Sequence, residues 1–334
     1  MRERAHRDTA TDPVAAADAW FLAHGLTYFV PEKRAAVRDS MRARRVLPFL
    51  ALVLLLATGA GGLLAWTADQ LTLGPATLAS LLGVAALCYA LTALHAAPIV
   101  RWALGRTFES LRTLLPMTTR ALPLLLLFIT FLFINTEVWQ VASNLTVGQL
   151  WLAVLLFIGL AVGFLLVRLP EEVDRTDDDV DDALLLAACR GTPLAAAAEE
   201  LVADESADPA AYAEVTGLER WNLVLVLLIV QAVQVLLVAF SVFVFLMVFG
   251  SLIMTPAVMD AWLTAPTHSV PGFDSISVAL VQVSVFLASF SGLYLTVSTV
   301  TDETYREQFF GSVVSELERA VGVRAVYLAV RARG

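Results

Sequence analysis

Apolar residues fall in six long uninterrupted runs, at about residues 46–68, 76–97, 121–141, 150–167, 222–254 and 276–300. A helix rises about 1.5 Å per residue and the hydrocarbon layer is roughly 30 Å thick, so about 20 apolar residues make one crossing. Each run therefore predicts a transmembrane helix, and the fifth is long enough to tilt or project beyond the bilayer. The only formally charged residue within them is Glu137, near the predicted outer end of the third. The expected fold is all-α, a polytopic membrane helix bundle with six transmembrane helices and a small helical cytoplasmic cap. It divides into an N-terminal segment (1–45), helices 1–4 (46–167), an acidic insert (168–221), helices 5–6 (222–300) and an amphipathic C-terminal helix (301–334).

Between the runs, cations sort by side. Lys33, Arg34, Arg38, Arg42, Arg44 and Arg45 precede the first, Arg101, Arg106, Arg112 and Arg120 follow the second, and Arg306, Arg319, Arg324, Arg331 and Arg333 follow the last. The alternate loops, near 69–75, 142–149 and 255–275, hold no Lys or Arg. Cationic loops resist translocation, which places both termini in the cytoplasm. The first run begins only after a polar stretch, so it reads as a retained signal anchor rather than a cleaved leader.

Composition agrees: 58% hydrophobic and 16% charged, with a mean hydropathy of +0.75, against about 45–50% and 25% in soluble domains. Disorder, collagen and a disulfide scaffold are excluded. A single Lys among 22 basic residues suggests a GC-rich prokaryotic genome, and hence a bacterial plasma membrane. Cys88 and Cys189 are too few for a disulfide framework, and His6, His24, His95 and His268 show no metal-binding spacing. No cofactor, metal or nucleic-acid partner is expected. The net charge of −9 hides a segregation of sign, because residues 168–221 carry 15 acids and four bases.

The polar segments have structure of their own. Residues 19–31 (AWFLAHGLTYFVP) contain Trp20, Phe21, Leu22, Tyr28 and Phe29, with Gly25 interrupting any helix. They either lie at headgroup level or pack on the protein's own cytoplasmic loops. The basic cluster Arg38, Arg42, Arg44 and Arg45 follows at the membrane interface, beside anionic lipid. In the insert, Asp177–Asp179 with Asp181 and Asp182 lack the Gly and Glu of a calcium loop, and two short helices are expected at 183–188 and 193–203, the second with Thr192 as N-cap and Pro193 in its first turn. Phe310, Val313, Val314, Leu317 and Val321 form one helical face for lipid or a partner protein, with Gly322 ending or bending the helix.

Within the spans, charge is replaced by uncharged polar residues. Ser277, Ser284, Ser291 and Ser298 recur every seven positions in helix 6, while Gln231, Gln234 and Ser241 share a face of helix 5. A polar seam between these helices is expected, as packing or as a narrow aqueous path. Small-residue ridges, Ala57–Gly61–Ala65, Gly159–Gly163 and Ser284–Ala288–Gly292, suit close packing within the chain or between copies in a homo-oligomer. His95 is expected to bond to a neighbouring helix, and Glu137 to be solvated. A rhomboid-type protease is disfavoured: Ser289–Gly292 lacks the first glycine of GxSG, and no histidine follows in a later span.

Three strings, AWFLAHGLTYFVP at 19–31, AACRGTP at 187–193, and VTDETYREQFF with VRAVYLAV across 300–330, resemble an uncharacterised family of actinobacterial integral membrane proteins. Thr27 stands where that family has proline, which leaves the turn there open. The resemblance implies topology and a bacterial plasma membrane, and no activity. Two functions fit the residues: a non-enzymatic scaffold in a membrane complex, in contact with the lipid bilayer and a protein partner at its cytoplasmic face, or a channel or facilitator for a small solute along the polar seam.

Overall fold

The computed structural model describes residues 12–114, 121–178, 180–204, 206–264, 268–301 and 303–333. Helix α1 (Pro13–Ala23) opens with the Asp12 carboxylate accepting the Val14 N–H and with Pro13 at the first helical position. It ends before Gly25, whose φ of +71° turns the chain into a 3₁₀ turn, Thr27–Phe29. Helix α2 (Pro31–Ser40) leads into α3 (Ala43–Thr67), and α4 (Leu73–Thr92) returns beside it. Next come α5 (Ala97–Leu114), α6 (Ala121–Phe133), α7 (Thr136–Ser143) and α8 (Val147–Asp178). Two short helices follow, α9 (Asp182–Cys189) and α10 (Ala195–Ala203), then the long α11 (Gly217–Ile253) and short α12 (Pro256–Trp262). A hairpin of β1 (Ser269–Val270) and β2 (Phe273–Ser277), turned at Pro271-Gly272, precedes α13 (Val278–Thr301) and α14 (Glu303–Arg333).

Five helices, α3, α4, α8, α11 and α13, are individually long and apolar enough to cross a membrane. The third predicted span is instead a broken pair, α6 and α7, bent by 76°. Asn135 causes the break: its side chain accepts the N–H groups of Glu137 and Val138 and starts a new helix, with Glu137 exposed in the first turn. The Phe133 carbonyl, released from the helical ladder, is taken by the Trp139 indole N–H at 2.7 Å. Phe21 of α1 meets Tyr327 of α14 edge-on at 5.2 Å, so the described beginning and end of the chain share one end of the bundle. Counting the broken pair as one span gives six crossings.

The two ends differ in kind. At one, the cation-free loops are tied together: Gln140 donates to the Trp262 carbonyl, Gln282 to the Leu145 carbonyl, and Asn144 to Thr264. At the other, α1, α2, α5, α9, α10 and α14 form a cap, with Phe21, Phe29, Leu185, Leu194, Val326 and Tyr327 in its core. Tryptophans fall toward both ends of the bundle, Trp66, Trp139, Trp151 and Trp262 at one and Trp20, Trp102 and Trp221 at the other. From Arg45 to Trp66 along α3 is about 31 Å at helical rise, one hydrocarbon thickness. Helices α3 and α4 lie at the periphery, with Leu47, Leu55, Leu63 and Leu87 exposed, whereas α11 and α13 are the buried pair.

Several expectations are corrected. Of the two alternatives for residues 19–31, packing on the protein is the one observed, with Phe21, Leu26, Tyr28, Phe29 and Val30 buried. Helix α10 starts at Ala195, not Pro193, because the Thr192 hydroxyl donates to the Cys189 carbonyl and accepts the Leu194 N–H, holding a turn there. Helix α14 runs through Gly322 unbroken. A Cβ on Gly322 would stand 2.6 Å from that of Ala188, so the glycine serves close contact with α9. Leu317 and Val321 are buried in the cap instead of facing lipid or a partner, while the side chains of Phe310, Val313 and Val314 lie outside the described part, as do Asp179 and His6. His95 sits past the end of α4 at φ +52°, exposed, its Nδ1 3.2 Å from the Ala93 carbonyl, with no bond to a neighbouring helix among the described residues.

Candidate functional site at the cap and bundle junction

Helix α11 spans about 55 Å at helical rise, well beyond the hydrocarbon layer, so its first turns enter the cap. There Glu219, 3% exposed, accepts Arg34 of α2 at 2.5 Å on one oxygen and Arg324 of α14 at 2.6 Å on the other. Arg324 also donates to the Tyr212 carbonyl at 2.7 Å. One turn on, Asn222 accepts the Tyr28 N–H at 2.9 Å and donates to the Gly25 carbonyl at 3.0 Å. The Tyr28 hydroxyl reaches the Leu94 carbonyl at 2.7 Å. A buried carboxylate is tolerated only when its charge and lone pairs are answered, and here both are. This clamp locks three cap segments to one membrane helix.

Beside the clamp, α1, α5, α11 and α14 leave a small half-open cleft of about 20 Å³, room for about one water. Its apolar wall is Leu26, Trp102, Leu223 and Val226, and its polar lip is His24, Glu316 and Arg319. Arg319 stacks over Trp20, with its guanidinium carbon 5.6 Å from the ring centroid, and Trp20 stacks on His24 at 4.0 Å. Gly25 is required here twice over, by its positive φ and because a Cβ would stand 2.9 Å from Trp102.

Burial pushes the Tyr28 phenol up to about 12. Tyr327 also rises to about 12, through burial and then the hydrogen bond to Asp18 and its charge, against the opposing pull of Arg331. Burial raises the Cys189 thiol to about 11, with Thr192 and Arg319 opposing, so the thiolate nucleophile is scarce at neutral pH. Among the described residues no group of three or more His, Cys, Asp or Glu is placed to hold a metal ion.

The expected polar seam forms only in part. Gln231 donates to Thr299 at 3.3 Å across α11 and α13. Gln234 and Ser284 are buried, yet neither the Gln234 amide nor the Ser284 hydroxyl has a hydrogen-bond partner among the described residues. Ser291 bonds back to the Ala288 carbonyl of its own helix, and Ser277 accepts the Leu280 N–H as the cap of α13. Ser298 is half-buried, while Ser241 is exposed on the outer face of α11 and bonds to the Leu237 carbonyl, so it leaves the seam.

Of the ridges, Ala57–Gly61–Ala65 joins α3 to α4, where a Cβ on Gly61 would stand 2.7 Å from the Gly74 carbonyl oxygen. Ala288 is buried, and Gly292 packs α13 on α11 against Val235 and Ala239. Gly159 and Gly163 are exposed, and a Cβ on either would meet nothing within 4 Å among the described residues. Arg38, Arg42, Arg44 and Arg45 are exposed around the start of α3, and Asp39 pairs with Arg42 at 2.8 Å and Arg45 at 2.7 Å.

Sequence patterning missed α5, the clamp and the cleft. For α5 a signal existed, since Ile99, Ala103 and Thr107 recur every fourth residue and are all buried, while Arg101 and Arg106 are exposed. Comparison of the chain with known families, curated proteins and solved structures found no match. Fold and hydropathy define the class by themselves: a membrane protein built as an all-α bundle with a helical cap.

Proposed function

We propose that the protein is a non-catalytic organiser of a membrane complex, displaying its cap at the cytoplasmic face of a bacterial plasma membrane with both termini inside. The clamp on Glu219 carries this reading: a rigid coupling between a membrane helix and a folded cap suits display of a surface at fixed height and orientation. The cation distribution supports the sidedness, and the resemblance to actinobacterial membrane proteins supports the compartment. Because α14 lies inside the cap, deleting 301–334 would test folding rather than partnership. In-cell cross-linking of the intact chain, against a variant with Glu199→Lys and Glu200→Lys on the exposed face of α10, tests it instead. A partner set lost in the variant is expected; no cross-linked partner in either overturns the reading. A periplasmic reporter fused after Thr264 is expected to be active and one after Ala203 silent, and the reverse overturns the orientation.

A second reading, a facilitator for a small uncharged solute, is favoured by the unpartnered Gln234 and Ser284. From Thr299 to Ser277 the buried polar groups of α13 extend over about 33 Å, the depth of the hydrocarbon layer. Reconstituted flux that is absent, or unchanged in Gln234→Leu, removes this reading.

A further inference from the structure

We infer that the elbow between α2 and α3 seats the headgroup of an anionic phospholipid in the leaflet on the cap side, with Arg38 and Arg44 as its contacts. The elbow is held in place at three points. Val37 of α2 is buried in one cluster with Ala96 and Ile99. The Ser40 carbonyl accepts the Tyr89 hydroxyl of α4 at 2.6 Å. Asp39 of α2 reaches Arg45 of α3 at 2.7 Å, so residues 38–45 stay together as one surface.

Folding does not account for the charge on this surface. Asp39 answers Arg42 and Arg45, whereas Arg38 and Arg44 are exposed with no carboxylate at ion-pair distance among the described residues. Arg44 stands in the first turn of α3, at the positive end of the helix dipole and with no acid in that turn, where a cation costs stability. Positive charge kept there against the dipole calls for an anion from outside the chain, and guanidiniums suit phosphate oxygens. Position decides which phosphate. Arg45 begins the stretch of α3 that matches one hydrocarbon thickness, and Leu47 and Leu50 just beyond it are exposed, as lipid-facing side chains are. Met41, within the elbow itself, is 52% exposed. An apolar side chain displayed among arginines fits the boundary between headgroups and acyl chains, whereas binding a phosphate from solution would leave it in water.

Native mass spectrometry of the detergent-solubilised full chain tests this. Phosphatidylglycerol and phosphatidylcholine of identical chains are the probes, with inorganic phosphate as a competing arm. Phosphatidylglycerol is expected to bind about tenfold tighter than phosphatidylcholine, since each cation beside an anionic headgroup contributes about fivefold. Arg38→Gln/Arg44→Gln removes that preference, while Lys33→Gln/Arg190→Gln, the same loss of charge at other exposed positions, keeps it. Asp39→Asn frees Arg42 and Arg45 and is expected to raise the preference further, a gain that misfolding cannot mimic. Equal binding of the two lipids, a preference surviving in Arg38→Gln/Arg44→Gln or lost equally in the control pair, no gain in Asp39→Asn, or displacement by inorganic phosphate would each overturn the proposal.

Discussion

The junction of α11 with the cap and the seam of α11 with α13 are both buried, both polar and carried by the same helix, yet Glu219 and Asn222 at the first and Gln234 at the second are treated in opposite ways. Thr27 beside the junction is buried with its hydroxyl unpartnered among the described residues. At the junction Glu219 has two guanidiniums and Asn222 uses both ends of its amide. In the seam, Gln231 finds Thr299, but the next polar residue on α11, Gln234, is buried with no partner among the described residues. An unpaired buried amide costs roughly 1–3 kcal/mol on mutational scales. The junction's polar groups therefore hold the fold together, and those of the seam weaken it. A residue that weakens its own bundle points to a role beyond packing, which is why the solute-path reading stays beside the scaffold.

The comparison breaks most visibly at Glu219. Glu219→Gln leaves two guanidiniums sharing a neutral partner, and the cap is expected to lose about 3–5 kcal/mol, measured as denaturant-dependent alkylation of Cys189. Packing gives the next effect. Gly322→Ala drives a methyl into Ala188 and costs about 1–3 kcal/mol, and adding Ala188→Gly recovers most of it. In the bundle the sign reverses, since Gln234→Leu is expected to stabilise α11 against α13 by about 1–3 kcal/mol in detergent unfolding. The smallest contrast is between ridges: Gly61→Ala meets the Gly74 carbonyl and weakens the α3/α4 hairpin, whereas Gly159→Ala stays within about 0.5 kcal/mol in the monomer.

Alkaline pH separates the two regions again. Tyr28 and Tyr327 move from an ordinary 10.0 to about 12 on folding. Raised values mean that the neutral phenol belongs to the folded cap, so this stabilisation is whole below pH 10 and is lost as pH rises through about 12. Cap unfolding followed by Cys189 exposure is expected to begin in that window, with the helical signal of the spans unchanged.

The spans were legible because a bilayer demands long apolar runs whatever surrounds them. The break at Asn135 was written in the sequence as Asn-Thr-Glu, an N-cap with an acid in the next turn, but inside an apolar run it resembled one tolerated polar residue. Gly322 looked like a helix end because the surface it approaches comes from α9, far away in sequence. The clamp left no local trace at all: Arg324 lies 105 residues from Glu219, and Tyr28 lies 194 from Asn222. Isolated charges flanking apolar runs read as interfacial, and only the fold shows that Arg34, Glu219 and Arg324 converge.

Alkylation of Cys189 in Glu219→Gln, compared with the parent and with Gln234→Leu under native conditions, tests the central claim that the cap is clamped to α11 through one buried carboxylate. A loss of about 3 kcal/mol accelerates labelling on the order of a hundredfold, with Gln234→Leu labelling at the parent's rate. Equal rates in Glu219→Gln and the parent would contradict it.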